Sequence, residues 1–152
     1  MKEFSNINDV LDFAIGEEQA AVEFYLKLAE LSKNEQIQKI FHDFAEEEMK
    51  HKAKLIEVKV NGATVFGNIP IIDMKLADYL VDVKATPDMS YEKALILAMK
   101  KEKAAFKLYT ALADRAQQPE MQAMFRHLAM EESKHKMQFE IEYDDYILRE
   151  KS

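Results

Sequence analysis

Apolar residues recur at helical spacing in four long segments of the chain, and this pattern predicts an all-α protein. The predicted helices cover approximately residues 6–32, 35–61, 91–116 and 119–149. Asn6 or Asn8 caps the first helix and Ser90 caps the third, because their side-chain oxygens can accept hydrogen bonds from free backbone amides. Pro119 fits the first turn of the fourth helix, where its missing N–H is not needed.

Residues 62–89 interrupt the helical pattern with two glycines and two prolines. The second helix is expected to end at Asn61–Gly62, a pair typical of helix C-termini. Because only a few residues separate the first two helices, they should be antiparallel neighbours. The segment 62–89 is long enough to run along the bundle as a crossover between helices 2 and 3. Within it, Asp73 to Val83 can form a short helix whose inward positions are Leu76, Ala77 and Leu80.

The two halves of the chain form an internal repeat with an offset of 84 residues. Aligning 11–58 with 95–142 gives 16 identities in 48 positions, whereas chance gives about three. Duplication of a helical hairpin explains this match best, with repeat halves at about 6–61 and 90–149. The predicted fold is therefore a four-helix bundle in one domain, residues 1–152, built from two repeated hairpins. A linker between two domains is the alternative, but each half alone would leave one hairpin's apolar face uncovered.

A Glu-x-x-His sequence occurs in each half, and its two side chains lie one turn apart on the same helix face. One copy is weak evidence, because Glu-x-x-His often arises by chance, but the second copy lies at the repeat offset. A further glutamate in each half falls on the apolar face of its helix at the same offset. Together these positions give six candidate metal ligands: Glu18, Glu48, His51, Glu102, Glu132 and His135.

Four buried carboxylates are costly unless their charge is compensated. They can share protons, with raised and coupled pKa values, or they can bind two divalent cations whose charge of +4 cancels theirs. One Glu from each of two helices plus one Glu-x-x-His from each of the others is the ligand set of a dinuclear site in ferritin-like bundles. By the repeat, Glu18 and Glu102 would flank the site and Glu48 and Glu132 would bridge it. The two histidines, His51 and His135, would then cap one metal each.

Composition limits the remaining possibilities. The chain has 152 residues, a net charge of -7 and no cysteine. The absence of a basic block argues against binding to nucleic acid or to an anionic membrane surface, and no apolar run approaches the roughly 18 residues that a membrane span needs. The polar start is unlike a signal peptide, so a cytoplasmic location is expected. Without cysteine, any metal must be held by carboxylate and imidazole, which suit iron, manganese and zinc.

Other polar residues near these sequences have less specific interpretations. Tyr25 and Tyr109 lie two turns beyond the flanking glutamates, and each hydroxyl is expected either to contact a ligand carboxylate of another helix or simply to pack in the core. The glutamates beside the Glu-x-x-His sequences are predicted to face solvent, and two histidines without a repeat partner are predicted to lie at the surface or at its boundary with the core. These residues are Glu46, Glu47, Glu131, His42 and His127.

With these residues placed, the chain resembles the rubrerythrin-type, ferritin-like di-iron carboxylate family, in a form that lacks the rubredoxin domain. The resemblance rests on Glu18 with Tyr25, Glu48-x-x-His51, Glu102 with Tyr109, and Glu132-x-x-His135. It implies a ferritin-like bundle with two Fe ions, commonly a peroxide-reducing activity, and often a homodimer. Two departures matter: no cysteine is present to hold the family's rubredoxin centre, and Ala105 stands where rubrerythrins usually carry an additional carboxylate.

Three functions remain open from the sequence. The first is a di-iron redox enzyme that reduces hydrogen peroxide or dioxygen with electrons from an external donor, such as a rubredoxin-like protein. The second is a non-catalytic metal-binding or iron-handling protein with the same ligands. The third is a metal-free helical bundle that acts as a binding module.

Overall fold

The structure, a computed structural model, describes residues 4–65, 69–71, 73–81 and 86–151. Over these residues the chain forms a bundle of four long helices: α1 (Ile7–Leu31), α2 (Glu35–Val65), α3 (Tyr91–Arg115) and α4 (Pro119–Lys151). The all-α fold predicted from the sequence is confirmed. Within the described part of the chain, no helix is long and apolar enough to cross a membrane.

The predicted N-caps of α1 and α3 are confirmed. Asn6 Oδ1 accepts a hydrogen bond of 3.0 Å from the amide of Asp9, and Ser90 Oγ accepts one of 3.2 Å from the amide of Lys93. A further cap, which was not predicted, begins α2: Asn34 Oδ1 accepts hydrogen bonds from the amides of residues 36 and 37. Each cap satisfies a donor that the helix itself leaves without a partner.

The end of α2 differs from the prediction. The helix does not stop at Asn61–Gly62 but continues to Val65. Asn and Gly favour helix ends because they tolerate the left-handed conformation, yet each costs only about 1 kcal/mol or less inside a helix. The pair therefore permits a helix end without enforcing one.

The short helix predicted for residues 73–83 is also wrong in the described residues, since only a 3-10 turn forms, at Leu76–Asp78. Asp73 has a φ of 67°, a left-handed conformation that does not fit the first turn of a helix. The predicted inward positions are half-buried or exposed, and Leu80 is 39% exposed. Met74 and Tyr79 are the buried residues here, whereas residues 82 and 83 lie outside the described part.

Contacts between the hairpins give the helix directions. Tyr25 of α1 contacts Glu102 of α3, and Tyr109 of α3 contacts Glu18 of α1. Numbering rises along one helix as it falls along the other, so α1 and α3 are antiparallel. The three-residue connection 32–34 makes α1 and α2 antiparallel as well. Helices α2 and α3 therefore run the same way, and the segment between them has to travel back along the bundle.

The two connections within the hairpins are closed by equivalent hydrogen bonds. Gln38 Nε2 donates to the carbonyl of Ser32 at 2.7 Å, and Gln122 Nε2 donates to the carbonyl of Ala116 at 2.7 Å. These glutamines are identical at the repeat offset. The structure thus preserves the duplicated hairpin in its connections as well as in its helices.

The apolar core falls into two clusters at opposite ends of the bundle. One contains Leu11, Leu55, Leu112 and Phe125 together with Met74 of the crossover. The other is built around Leu28, Phe41, Leu95 and Phe139. On every helix one or two buried ionisable residues lie between these clusters in sequence, so the core encloses a polar layer at its middle.

Candidate metal centre

All six predicted ligand residues lie in this polar layer, and each is at most 3% exposed. One helical turn separates the Glu and His on α2 and on α4, so both side chains of each pair point inward. The remaining two glutamates come from the middles of α1 and α3. The structure therefore brings together the side chains of Glu18, Glu48, His51, Glu102, Glu132 and His135.

The ligand atoms form two overlapping groups, and within each group they lie within 4.8 Å of one another. Both groups contain Glu48 and Glu132. The first adds Glu18 and His51, and the second adds Glu102 and His135. Two positions that could each hold a metal ion thus share two carboxylates.

Each histidine directs Nδ1 towards the carboxylates. His51 Nδ1 lies 2.7 Å from Glu132 Oε1 and 3.5 Å from Glu18 Oε2. His135 Nδ1 lies 3.0 Å from Glu48 Oε1. These contacts are equivalent in the two repeats, because each histidine ring approaches the shared glutamate of the opposite hairpin.

The other ring nitrogen of each histidine contacts a second glutamate. His51 Nε2 lies 3.5 Å from Glu131 Oε1, and His135 Nε2 contacts Glu47 Oε2. The prediction that Glu47 and Glu131 simply face solvent is therefore wrong: their side chains are 41% and 25% exposed and border the site. A carboxylate on the outer nitrogen of a metal-binding histidine fixes the ring orientation and leaves the inner nitrogen free to bind.

Their position in the repeat was the available signal for this role, because Glu47 and Glu131 are an identical pair at the 84-residue offset. Glu46, which has no such partner, is exposed as predicted. The two remaining histidines are also exposed as predicted. His127 Nε2 nevertheless lies 2.6 Å from Glu131 Oε1, so Glu131 sits between a surface histidine and a buried one.

The two buried tyrosines contact the flanking glutamates of the facing helix. Tyr109 donates to Glu18 Oε1 at 2.6 Å, and Tyr25 donates to Glu102 Oε1. Burial raises the pKa of both hydroxyls well above the usual value, and the neighbouring glutamates raise it further. Both tyrosines therefore remain protonated donors, and each orients one flanking carboxylate at the site.

Seven buried side-chain atoms in the described residues have no hydrogen-bond partner, and all of them belong to the six candidate ligands. They are Glu18 Oε2, Glu48 Oε1, His51 Nδ1 and Nε2, Glu102 Oε2, Glu132 Oε1 and His135 Nδ1. They lie close together, but without hydrogen-bond geometry. Since buried polar atoms in native proteins are almost always satisfied, this concentration of electron-pair donors fits metal ions better than it fits a structural polar network.

With no metal bound, the shared glutamates resist ionisation. Burial raises the pKa of Glu48 and Glu132 well above the usual value, and the neighbouring carboxylates raise it further. Burial opposes ionisation of Glu18 too, but the contacts with His51, Glu48 and Tyr109 outweigh it and lower its pKa. In the metal-free cluster the raised pKa of the two shared carboxylates favours their protonated form.

The two histidines of the metal-free cluster also have raised pKa values, which favour their protonated form. Burial alone would lower their pKa, but the surrounding carboxylates dominate. Contacts with Glu18 raise the pKa of His51, and contacts with Glu102 and Glu48 raise that of His135 to about 11. Metal ions that bind Nδ1 and the glutamates must displace these protons.

A small cavity of about 30 Å³ adjoins the cluster between α1 and α3. Its wall includes Glu17 and Lys101, the half-buried Ala105, and Tyr79 and Val81 of the crossover. One water molecule needs about 10–15 Å³ measured in this way. The cavity therefore has room for a molecule of only a few atoms beside the candidate ligands.

Comparison with known proteins agrees with this geometry. The rubrerythrin family model matches residues 9–63 and 93–151, which include both hairpins and all six candidate ligands. The chain belongs to the rubrerythrin family. A search of curated proteins finds no match.

Two solved structures are similar in fold. One, described as a ferritin-like diiron-carboxylate protein from Thermotoga maritima, has a TM-score of 0.81 and 20% identity, covering 96% of this chain and 99% of that one. The other, a hypothetical protein from Pyrococcus furiosus, has a TM-score of 0.73 and 27% identity, covering 92% of this chain and 89% of that one. The fold is thus the ferritin-like four-helix bundle.

Proposed function

We propose that the protein is a di-iron redox protein that reduces hydrogen peroxide, or dioxygen, with electrons from an external donor protein. The observation that carries this proposal is the set of seven buried, partnerless ligand atoms arranged as two overlapping groups. Membership of the rubrerythrin family supports iron as the metal. Four carboxylates would balance the charge of two ferrous ions, which would lower the free-energy cost of burying the cluster.

In this proposal Glu18 and His51 would hold one metal, Glu102 and His135 would hold the other, and Glu48 and Glu132 would be available to both. The sequence of each hairpin supplies half of the site, so neither hairpin can bind the pair alone. The tyrosine hydroxyls keep the two flanking carboxylates oriented. The apolar clusters on either side exclude bulk water, which strengthens the electrostatic interactions inside.

A bound iron pair supplies one electron from each ion, which matches the two electrons needed to cleave the O–O bond of peroxide. Conversion of one hydrogen peroxide to two waters also consumes two protons. The cavity of about 30 Å³ fits a substrate of this size and is too small for an organic one. The electrons have to come from a separate redox centre, and a rubredoxin-like protein is the proposed donor.

A second function, iron handling without catalytic turnover, is favoured by one residue. Ala105 lines the cavity at the position where rubrerythrins usually carry an additional carboxylate. Its methyl group cannot bind or release a metal. The third function, a metal-free binding module, is disfavoured because it gives no role to six buried ionisable side chains, whose burial is costly unless their charge is compensated.

Metal loading tests whether the site exists. We expect the metal-free protein to take up two ferrous ions per chain under anaerobic conditions and to develop iron charge-transfer absorption after exposure to peroxide. Glu48→Ala should reduce the metal content below one ion per chain, whereas Glu46→Ala, a matched change of an exposed glutamate on the same helix, should leave it at two. A wild-type content below one would reject both metal-dependent functions.

Turnover separates the redox enzyme from the iron-handling protein. With a reduced rubredoxin-like donor in excess, the two-iron protein should consume peroxide repeatedly, at two donor electrons per peroxide. The zinc-loaded protein is the control, because zinc occupies similar ligands but has no redox chemistry. A protein that holds two irons and yet undergoes only one oxidation with several competent donors would support iron handling instead.

A further inference from the structure

The outer face of α3 carries four exposed lysines in a row. Lys93, Lys100 and Lys107 follow one another at intervals of seven residues, and Lys103 lies one turn from each of the last two. Residues seven apart fall on the same side of a helix. The opposite side of α3 carries Glu102, which belongs to the candidate metal centre. We call the four lysines the α3 lysine row.

The row is positive along its whole length, although the chain has a net charge of -7. Between residues 93 and 113, the acidic residue of α3 is Glu102, which is buried on the opposite side of the helix. Within the described residues, none of the four lysines forms an ion pair. The charge of the row is therefore presented to solvent.

The surfaces of the other helices differ from this face of α3. On α2 and α4, lysines alternate with acidic residues and form ion pairs with them. These pairs include Lys39–Asp43, Lys54–Glu57 and Lys136–Glu140. On α1, the positions equivalent to the four lysines at the repeat offset are Asp9, Gly16, Gln19 and Glu23. Duplication of the hairpin therefore does not account for the row.

The row borders a groove of about 400 Å³ between α3 and the crossover. Three of its lysines, all but Lys93, line this groove together with Asp78 and Leu80 of the crossover. In the part of the chain that the structure describes, Asp78 forms no ion pair with these lysines. Leu80 is 39% exposed, so an apolar side chain stands beside the positive charges. Protein interfaces commonly combine an apolar contact with a polar rim in this way.

The groove lies next to the small cavity beside the candidate ligands. Val81 and Ala104 belong to the walls of both. Lys107 Nζ lies 6.0 Å from the centroid of the Tyr79 ring, and Tyr79 lines the cavity. Because α3 itself holds Glu102, only the thickness of one helix, about 10–12 Å with its side chains, separates the row from the candidate metal centre. A redox protein that contacts the row thus comes close to that centre.

We propose that the α3 lysine row, with Leu80 beside it, is the docking surface for an acidic electron-donor protein. This inference rests on the proposed function, which requires an external donor. Each docked donor loses one electron. Two donors are therefore oxidised for every hydrogen peroxide that takes up two protons and becomes two waters.

The charge distribution favours an acidic protein in one orientation. The row contributes +4 to a net charge of -7, so the remainder of the chain carries -11. An acidic partner is attracted by the row and repelled by the remainder, which directs its approach to this face. The row extends over 14 residues, about 21 Å along the helix, which suits the small interfaces of electron-transfer complexes. A membrane or a nucleic acid, being a more extended anion, would also meet the acidic remainder.

Binding is measured first without electron transfer. A rubredoxin of strongly negative net charge, loaded with zinc so that it has no redox chemistry, is titrated into the isotope-labelled, zinc-loaded protein at low ionic strength. Amide chemical shifts should change along the outer face of α3 and around Leu80, and the affinity should fall as salt is added. The metal-free protein serves in the same way, so this measurement does not require the metal centre.

Charge reversal tests the lysines directly. Lys100→Glu/Lys107→Glu should lower the affinity for this rubredoxin, and the rate constant for reduction of the iron-loaded protein by its reduced iron form, by at least about tenfold. Lys33→Glu/Lys50→Glu is the matched control, because it lowers the net charge equally at exposed lysines outside the row; both quantities should change much less. Lys100→Arg/Lys107→Arg keeps the charge and should behave like the wild type. A small uncharged reductant should reduce all of these proteins at equal rates.

Equal binding of the rubredoxin to the wild type and to Lys100→Glu/Lys107→Glu overturns the proposal, as do shift changes confined to another face. Absence of binding at low ionic strength overturns it too, including if anionic vesicles or duplex DNA bind the row instead. Failure of the proposed function looks different. A rubredoxin that docks on the row without any peroxide being consumed rejects the redox activity and leaves the docking surface standing. Peroxide turnover that the reversal leaves unchanged rejects the docking surface alone.

Discussion

Tyr109 donates a hydrogen bond of 2.6 Å to Glu18 Oε1, although 91 residues separate the two in the sequence. The reciprocal contact joins Tyr25 to Glu102. These contacts cross between the hairpins on the α1–α3 side, while the histidines cross on the α2–α4 side. The residues that shape the candidate site thus also join the two hairpins. A change at one of them should therefore affect both the stability of the bundle and its binding of metal.

Replacing Tyr109 with Phe should destabilise the metal-free protein by about 1.5–3 kcal/mol, because a buried carboxylate oxygen loses its donor and hydrogen bonds to charged groups have this strength. Urea unfolding in the presence of a chelator measures the effect. Tyr143→Phe is the control: its hydroxyl also donates to a glutamate, Glu92 at 3.3 Å, but both residues are partly exposed, so water can replace the lost bond and stability should change little. Equal effects for the two variants would contradict the prediction.

Glu131→Gln should weaken metal binding by about 10- to 100-fold, the usual effect of losing a carboxylate that orients a metal-binding histidine. Glutamine keeps the shape of the side chain but removes the negative charge near His51 Nε2. Glu47→Gln should act in the same way through His135. Competition with a chromogenic chelator measures the affinity, and Glu46→Gln, an exposed neighbour, should leave it unchanged. Unaltered affinity in the first two variants would show that these glutamates are only surface residues.

The sequence predicted the six buried candidate ligands because two independent signals coincided at each of them. Helical periodicity put them on inward faces, and the repeat matched them in pairs. Glu47 and Glu131 were assigned wrongly because periodicity distinguishes only inward from outward positions. Both lie at the boundary between α2 and α4, where a side chain can be partly exposed and still reach the neighbouring helix. Which side chains meet across such a boundary depends on how the helices pack.

The crossover was predicted less well for a different physical reason. It lacks the long periodic pattern that identifies the four helices, so its conformation depends on local backbone preferences and on tertiary contacts. Asp73 adopts a left-handed conformation that no periodicity reveals. Met74 and Tyr79 are buried because the adjoining end of the bundle offers them an apolar surface. The requirement that the segment return along the bundle could be predicted, but its internal structure could not.

The metal-free protein should lose stability as pH rises from about 5 to 9. Glu48 and Glu132 have pKa values raised above 4.5 in the folded state, and His51 and His135 have values raised above 6.5. Above those unfolded values, and up to each folded pKa, the folded state binds more protons than the unfolded state, so stability falls as pH increases. The lowered pKa of Glu18 acts in the opposite direction, but only below pH 4.5.

Urea midpoints measured with a chelator at about pH 5, 7 and 9 test whether stability falls as pH rises. Saturating ferrous iron or zinc should reverse the trend over the lower part of this range, because metal binding requires deprotonated ligands and therefore strengthens as pH rises. A metal-free midpoint that increases steadily from pH 5 to pH 9 would show that the carboxylates and histidines do not retain their protons in the folded state.

Glu132→Gln should stabilise the metal-free protein at neutral pH and destabilise the metal-bound one. Glu132 is buried, and its pKa is raised first by that burial and then by Glu102 and Glu48. A neutral amide of the same shape avoids the cost of either a buried negative charge or the uptake of a proton. The same amide binds metal poorly, and the variant should lose the stabilisation that metal gives the wild type, about 2.7 kcal/mol at a free metal concentration 100 times the dissociation constant. Thermal unfolding with chelator and with metal measures both effects, and Glu140→Gln, an exposed change on the same helix, should show neither. If the variant is less stable than the wild type under both conditions, Glu132 contributes a structural contact that outweighs its electrostatic cost, and the interpretation of the cluster as a metal site is wrong.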